Sequence, residues 1–212
     1  MSALVEYAPA PEMTVTATNL ATEQKEELGG PAAPLATLVF KTTIDPYGKQ
    51  SYFRVYSGAL ESDTRVLNSN TGEEERIGQI SVPQGKEQFA VVRVAAGDIG
   101  VVAKLDETQT GHTLCDADHP VQLPGIDFPD PIFAVAVEPK TKADSAKMGA
   151  GLARLVEEDP SLEWRLERST RQTILSGMGD AHINIGCLRL ERKFGVEVVT
   201  SVPKVPYRET VT

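Results

Sequence analysis

The 212-residue chain carries 30 acidic and 21 basic side chains, a net charge of -9, with 41% hydrophobic and 24% charged residues. That balance suits a globular protein with one large or two small cores, and it argues against indiscriminate binding to nucleic acid. No apolar run approaches the roughly 18 residues a membrane span needs, and Met1–Leu4 opens no secretory signal, so a cytoplasmic protein without a membrane partner is expected. Cys115 and Cys187 stand in separate segments with no metal-ligand spacing, which predicts reduced thiols and no metal site.

Charge is spread unevenly. Residues 1–30 sum to -4, residues 31–128 to -5, and residues 129–212 to zero. An anionic partner is therefore expected to meet the C-terminal half through a local cluster.

Residues 1–30 are Thr-rich and acidic, hold Pro9 and Pro11, and close on Gly29-Gly30-Pro31, which predicts a linker with little structure of its own. From residue 31 to 127 short strands are expected at Leu35–Thr43, Ser51–Ser57, Arg65–Asn68, Arg76–Val82, Phe89–Val94 and Ile99–Leu105. They are rich in Val, Ile, Tyr and Phe and parted by turns such as Asn70-Thr71-Gly72 and Gly97-Asp98. Strands at this spacing predict a small antiparallel all-β barrel.

After Pro124, Gly125, Pro129 and Pro131 the pattern changes. Ile132–Val137 predicts an apolar strand. Thr141-Lys142-Ala143-Asp144 resembles a capping box opening a helix through Glu158, with Met148, Leu152, Leu155 and Val156 inward and Pro160 beyond its end. Two strands follow, Leu162–Arg168 and Arg171–Leu175. Gly177-Met178-Gly179 then predicts a tight turn, Asp180 an N-cap, and Gly195 the stop of a second helix before the strand Val196–Val202. The order β-α-β-β-α-β over residues 128–204 is the ferredoxin-like α+β arrangement.

On that second helix Ile183, Cys187, Leu190 and Phe194 form an apolar stripe for the core. His182, Gly186, Arg189 and Lys193 form a second stripe, which suits either a solvated face or a docking face notched by the glycine. Catalytic signatures are lacking. There is no phosphate loop, no G-x-S-x-G and no H-E-x-x-H, and the acidic runs Glu73-Glu74-Glu75 and Glu157-Glu158-Asp159 suit solvated patches. A binding chain is expected, and no cofactor in it.

Four short motifs of the strand-rich half, Arg54–Gly58 (RVYSG), Glu75–Gly78 (ERIG), Ala96–Gly100 (AGDIG) and Thr110–Cys115 (TGHTLC), resemble motifs of elongation factor G. They occur in the order seen in its domain II. Phe128–Asp144, Ala153–Pro160, Gln172–Ile183 and Lys193–Val198 resemble its domain III, Val205–Thr210 the start of its domain IV, and Ala3–Pro11 the tail of its GTPase domain. The resemblance implies a fragment. Residues 1–30 would be the tail of an absent GTPase domain, 31–127 domain II, 128–204 domain III, and 205–212 the start of domain IV. GTP and magnesium would belong to that absent domain of a ribosome-stimulated GTPase that moves tRNA and mRNA.

The resemblance further implies a monomer whose partners are the ribosome, through rRNA and a small-subunit protein, and the parent's own GTPase domain. His182, Arg189, Met178, Pro129 and Pro131 match positions that line the GTPase-domain junction where fusidic acid lodges. Lys140, Lys142 and Arg54 match candidate ribosome contacts. Within the superfamily a ribosomal protection factor or a back-translocating factor is the alternative. Outside it stands an acylphosphatase-type hydrolase, although Val137–Thr141 brings Lys140 and no arginine. The chain departs from the usual SGMGELHLEI as SGMGDAHINI, and its Ser169–Arg171 hairpin lacks the family's glycine.

Overall fold

The computed structural model describes Tyr7 and residues 14–45, 48–85 and 87–205. Two compact units divide between Ile126 and Asp127.

In the first unit an eight-stranded antiparallel sheet runs in the order β7-β6-β12-β3-β4-β11-β8-β9. Its long central pair is β3 (Ala36–Asp45) and β4 (Gly48–Ser57), flanked by β6 (Arg65–Asn68), β7 (Glu74–Arg76), β8 (Ile80–Gln84), β9 (Glu87–Val91), β11 (Ile99–Ala103) and β12 (Thr113–Cys115). A short pair, β5 (Ala59–Glu61) with β10 (Arg93–Ala95), forms a separate two-stranded sheet. Strand alternation explains the core: along β4 every second residue, Ser51, Phe53, Val55 and Ser57, is buried. Phe53 and Val55 join Leu60, Ile77, Ile80 and Leu114 in one fully buried cluster.

The expected strand Arg76–Val82 is two strands, because Ile77 drops into the core between β7 and β8. Gly58 is held at φ +70°, where an added Cβ would lie 2.7 Å from the Ala33 carbonyl oxygen, so only glycine fits this corner.

Residues 14–30 correct an expectation. In place of an unstructured linker they form a hairpin of β1 (Val15–Asn19) and β2 (Lys25–Leu28), with β1 also pairing β13 (Val121–Gln122). Ala17 and Leu28 are buried with Leu38, Cys115 and Val121, and Asn19 Oδ1 accepts the Ala21 and Thr22 amides to close the turn. Small alternating side chains are enough here because the partner strand supplies the bulk.

The second unit is a four-stranded antiparallel sheet in the order β15-β16-β14-β17, with two helices: the ferredoxin-like β-α-β-β-α-β order. Its strands are β14 (Phe133–Pro139), β15 (Glu163–Glu167), β16 (Gln172–Gly177) and β17 (Val198–Ser201); its helices are α1 (Lys142–Glu158) and α2 (Asp180–Phe194). Thr141 and Asp144 cap α1 reciprocally, which satisfies two otherwise orphaned amides. Leu152, Leu155, Leu175, Ile183 and Leu190 are fully buried together. Each contributes about 1.5–3 kcal/mol by leaving water. Gly195 ends α2 in the left-handed region at φ 62°. The N-cap of α2 is Gly179, not Asp180. Asp180 is the first helical residue, and its Oδ1 accepts the Ala181 amide 2.7 Å away.

No described helix is long and apolar enough to cross a membrane.

Candidate docking surface

The Gly177-Met178-Gly179 turn connects β16 to α2, and its tightness comes from packing. A Cβ on Gly177 would lie 3.0 Å from His182 Nδ1 and from Leu162 Cδ2, so a larger residue there would crowd the histidine ring over the turn. His182 Nδ1 accepts the Met178 amide at 3.1 Å. That bond requires the ring proton on Nε2, which faces Asp159 Oδ2 at 3.2 Å. The ring is thus a strut between the turn and the C-cap of α1.

Asp159 is the hub of this arrangement. Its Oδ1 accepts the Ser161 amide at 3.3 Å and the Ser161 hydroxyl, while Oδ2 faces both His182 and Arg189 Nη1, the latter at 3.4 Å. Burial pushes its carboxyl pKa up, but the hydrogen bonds from Ser161 and His182 outweigh burial and hold it below the ordinary carboxylate value. Lys193 Nζ reaches Glu158 Oε1 at 2.5 Å, and the Glu158 side chain is only 5% exposed.

Two expectations change here. The run Glu157-Glu158-Asp159 is no solvated patch, since two of its carboxylates receive the cations of α2. Gly186 does not notch an outward face either. It is buried, and a Cβ there would sit 3.6 Å from Leu155 Cδ2 and Leu162 Cδ1. The surface it admits is the protein's own core.

Beside the turn lies an apolar rim. The Ile132 amide donates to the Gly177 carbonyl at 3.0 Å, and Phe133 pairs with Gly177 across the sheet. Ile132 is 80% exposed, Phe133 41% and Met178 38%. Pro129 is exposed and Pro131 half-buried in the segment leading to β14. Met178, His182, Arg189 and the proline segment are therefore gathered at one end of β14 and β16, with Ile132 and Phe133 added by the structure. Their exposure was hidden in the sequence because a run of apolar residues looks the same buried or bare. Asp159 was hidden too. Its only signal was three carboxylates ending one helix of a fold that packs its two helices side by side.

The other candidates lie apart. Lys140 pairs with Glu197, whose hydrogen bond raises the lysine pKa. Lys142 is exposed on the first turn of α1. In the first unit the Arg54 guanidinium lies 5.3 Å from the centre of the half-buried Tyr56 ring on β4, and Lys41 sits 5.6 Å from the Tyr52 ring.

Comparison with known proteins bears on both units. Residues 48–115 match the family model of elongation factor Tu domain 2, and residues 128–202 that of elongation factor G domain III. The chain is also similar to the crystal structure of ttk003000868 from Thermus thermophilus, with 32% identity and a TM-score of 0.78 over 98% of its length. It spans 29% of that relative.

Proposed function

For a chain that is elongation-factor-like, carrying domains II and III of the translation elongation factors in sequence, we propose a non-catalytic module that binds the ribosome and docks on a GTPase domain. The β-barrel and the ferredoxin-like unit are not the catalytic domains of such factors. GTP and magnesium belong to the GTPase domain, and the whole protein supports tRNA and mRNA translocation in the cytoplasm.

The observation that supports docking most is the braced turn. Met178 is exposed beside Ile132 and Phe133, yet its backbone is tied through His182 to Asp159. An apolar rim held this firmly loses little entropy on binding. Arg189, bonded to the same carboxylate while half-exposed, sits where it can reach a neighbouring acidic group. On this reading Pro129 and Pro131 fix the approach of the chain to the rim. Lys140, Lys142 and Arg54 are candidate contacts to rRNA or a small-subunit protein.

The test is Arg189→Ala in a full-length protein carrying this chain. Ribosome-stimulated GTP hydrolysis is expected to fall several-fold while the fold persists. Unchanged stimulation overturns the docking assignment.

A further inference from the structure

The described cations of the second unit are satisfied in different ways: Arg154 lies over the Phe194 ring, and Lys142, Lys147, Arg192 and Lys204 stand exposed at separate points of the unit. Lys140, Arg189 and Lys193 are each matched to a carboxylate of the same unit. Arg165, Arg168 and Arg171, around the β15–β16 hairpin, are exposed, and none pairs with a carboxylate among the described residues. The hairpin closes at the Glu167–Gln172 pair, so Arg168 and Arg171 are the first and last residues of a four-residue loop. Within the loop, Glu167 Oε1 takes the Ser169 amide and hydroxyl.

Arg171 stands at φ 55°, in the left-handed region that costs a side-chain-bearing residue about 1 kcal/mol or more and costs glycine nothing. The loop keeps a guanidinium where its own geometry favours glycine. Glu23, Asp63 and Lys104 of the first unit take similar positive φ, so the conformation is one that this chain tolerates elsewhere.

We propose that the β15–β16 hairpin is an RNA-backbone contact, with Arg168 and Arg171, supported by Arg165, bound to phosphates. This rests on the ribosome-binding reading above and names the surface and chemistry of one contact. A guanidinium fork matches a phosphate bidentately and stays charged at every physiological pH. A convex hairpin tip offers no groove for a peptide, and Leu166, its one exposed apolar side chain at 61%, is no stacking platform for a base. The contact therefore positions the unit on RNA and carries no sequence information. Residues 129–212 sum to zero charge, so the attraction comes from local clusters of cations such as this one.

The experiment uses the intact chain and purified ribosomes. Co-sedimentation across a salt series is compared for wild type and Arg168→Gln/Arg171→Gly, with p-benzoylphenylalanine at Leu166 as a photo-crosslinker. The double variant is expected to bind about fivefold or more weakly and to lose about two from the slope of log K against log[salt], one per phosphate contact. Its melting temperature is expected to hold or rise, since glycine relieves residue 171. The crosslink is expected on rRNA and to be nuclease-sensitive.

A wild-type chain that sediments while the variant matches it overturns the hairpin contact and leaves the ribosome reading standing. So does a crosslink that falls on protein. A wild-type chain that does not sediment overturns both.

Discussion

Asp159→Ala is the sharpest probe of the second unit, because one carboxylate receives Ser161, His182 and Arg189. The Arg189 guanidinium is half-exposed, so its bond contributes a few tenths of a kcal/mol after solvent screening. The bonds from Ser161 and His182 go to a charged acceptor that is only 23% exposed, and together with the polar groups left unpaired they contribute about 2–3 kcal/mol. In a unit of about 86 residues, Asp127–Thr212, that corresponds to a fall of roughly 10–20 °C in melting temperature.

The assay is built into the sequence. Trp164 is the one tryptophan and packs against the core of the second unit, so its fluorescence reports that unit. Because the folded carboxyl titrates below its ordinary value, its contribution is present above about pH 4 and fades as pH falls through the folded pKa. Wild type and variant should therefore converge in acid. A shift under about 2 °C at neutral pH, or a gap that persists in acid, refutes the hub. A double-mutant cycle with His182→Ala isolates the strut, and a coupling energy near zero would mean the ring is held by packing alone.

Two further outcomes concern the barrel. His112 Nδ1 accepts from Asn68 Nδ2 at 3.1 Å and from the Gln109 amide at 3.3 Å. Burial, then Lys49, lower its pKa against the opposing pull of Glu75, so its contribution is intact above about pH 6.5 and is lost as pH falls through the folded value. His112→Asn, which keeps an acceptor, should flatten the acid-side fall in the urea midpoint of the β-sheet circular dichroism; an unchanged fall refutes the assignment. Gly100→Ala places a Cβ 2.5 Å from Phe53 Cζ at the centre of the barrel core. It should cost about 1–3 kcal/mol or more while leaving the Trp164 transition in place, and a barrel of wild-type stability would refute the packing argument.

What the sequence made legible was chemistry that acts over a few residues. The Thr141–Asp144 capping box, the Gly195 stop and the apolar stripe of α2 stand as expected because each is decided within one or two turns of helix. The β1–β2 hairpin escaped notice because Ala17 and the threonines around it carry little hydrophobic signal, and their burial depends on Val121, about a hundred residues away. The N-cap of α2 shifted by one residue because the extended backbone of Gly179 already makes the corner. Asp159 and Gly186 were misread for one reason. Residue type tells how a side chain behaves in water, and both face the other helix.

The second unit presents its two candidate surfaces at opposite ends of one strand. β16 begins beside the arginine loop at Gln172 and ends at Gly177 beside the apolar rim. At about 3.3 Å per residue the six residues separate the two by roughly 17–20 Å. The rim and the arginine loop are therefore separate patches of one unit. Between the two ends run the central strand, paired on both sides, and a buried core rich in leucine, and close-packed interiors of this kind deform little. The arrangement suits a rigid spacer held at both ends. Its stiffness rests on Asp159, which ties the helices to the turn at the rim.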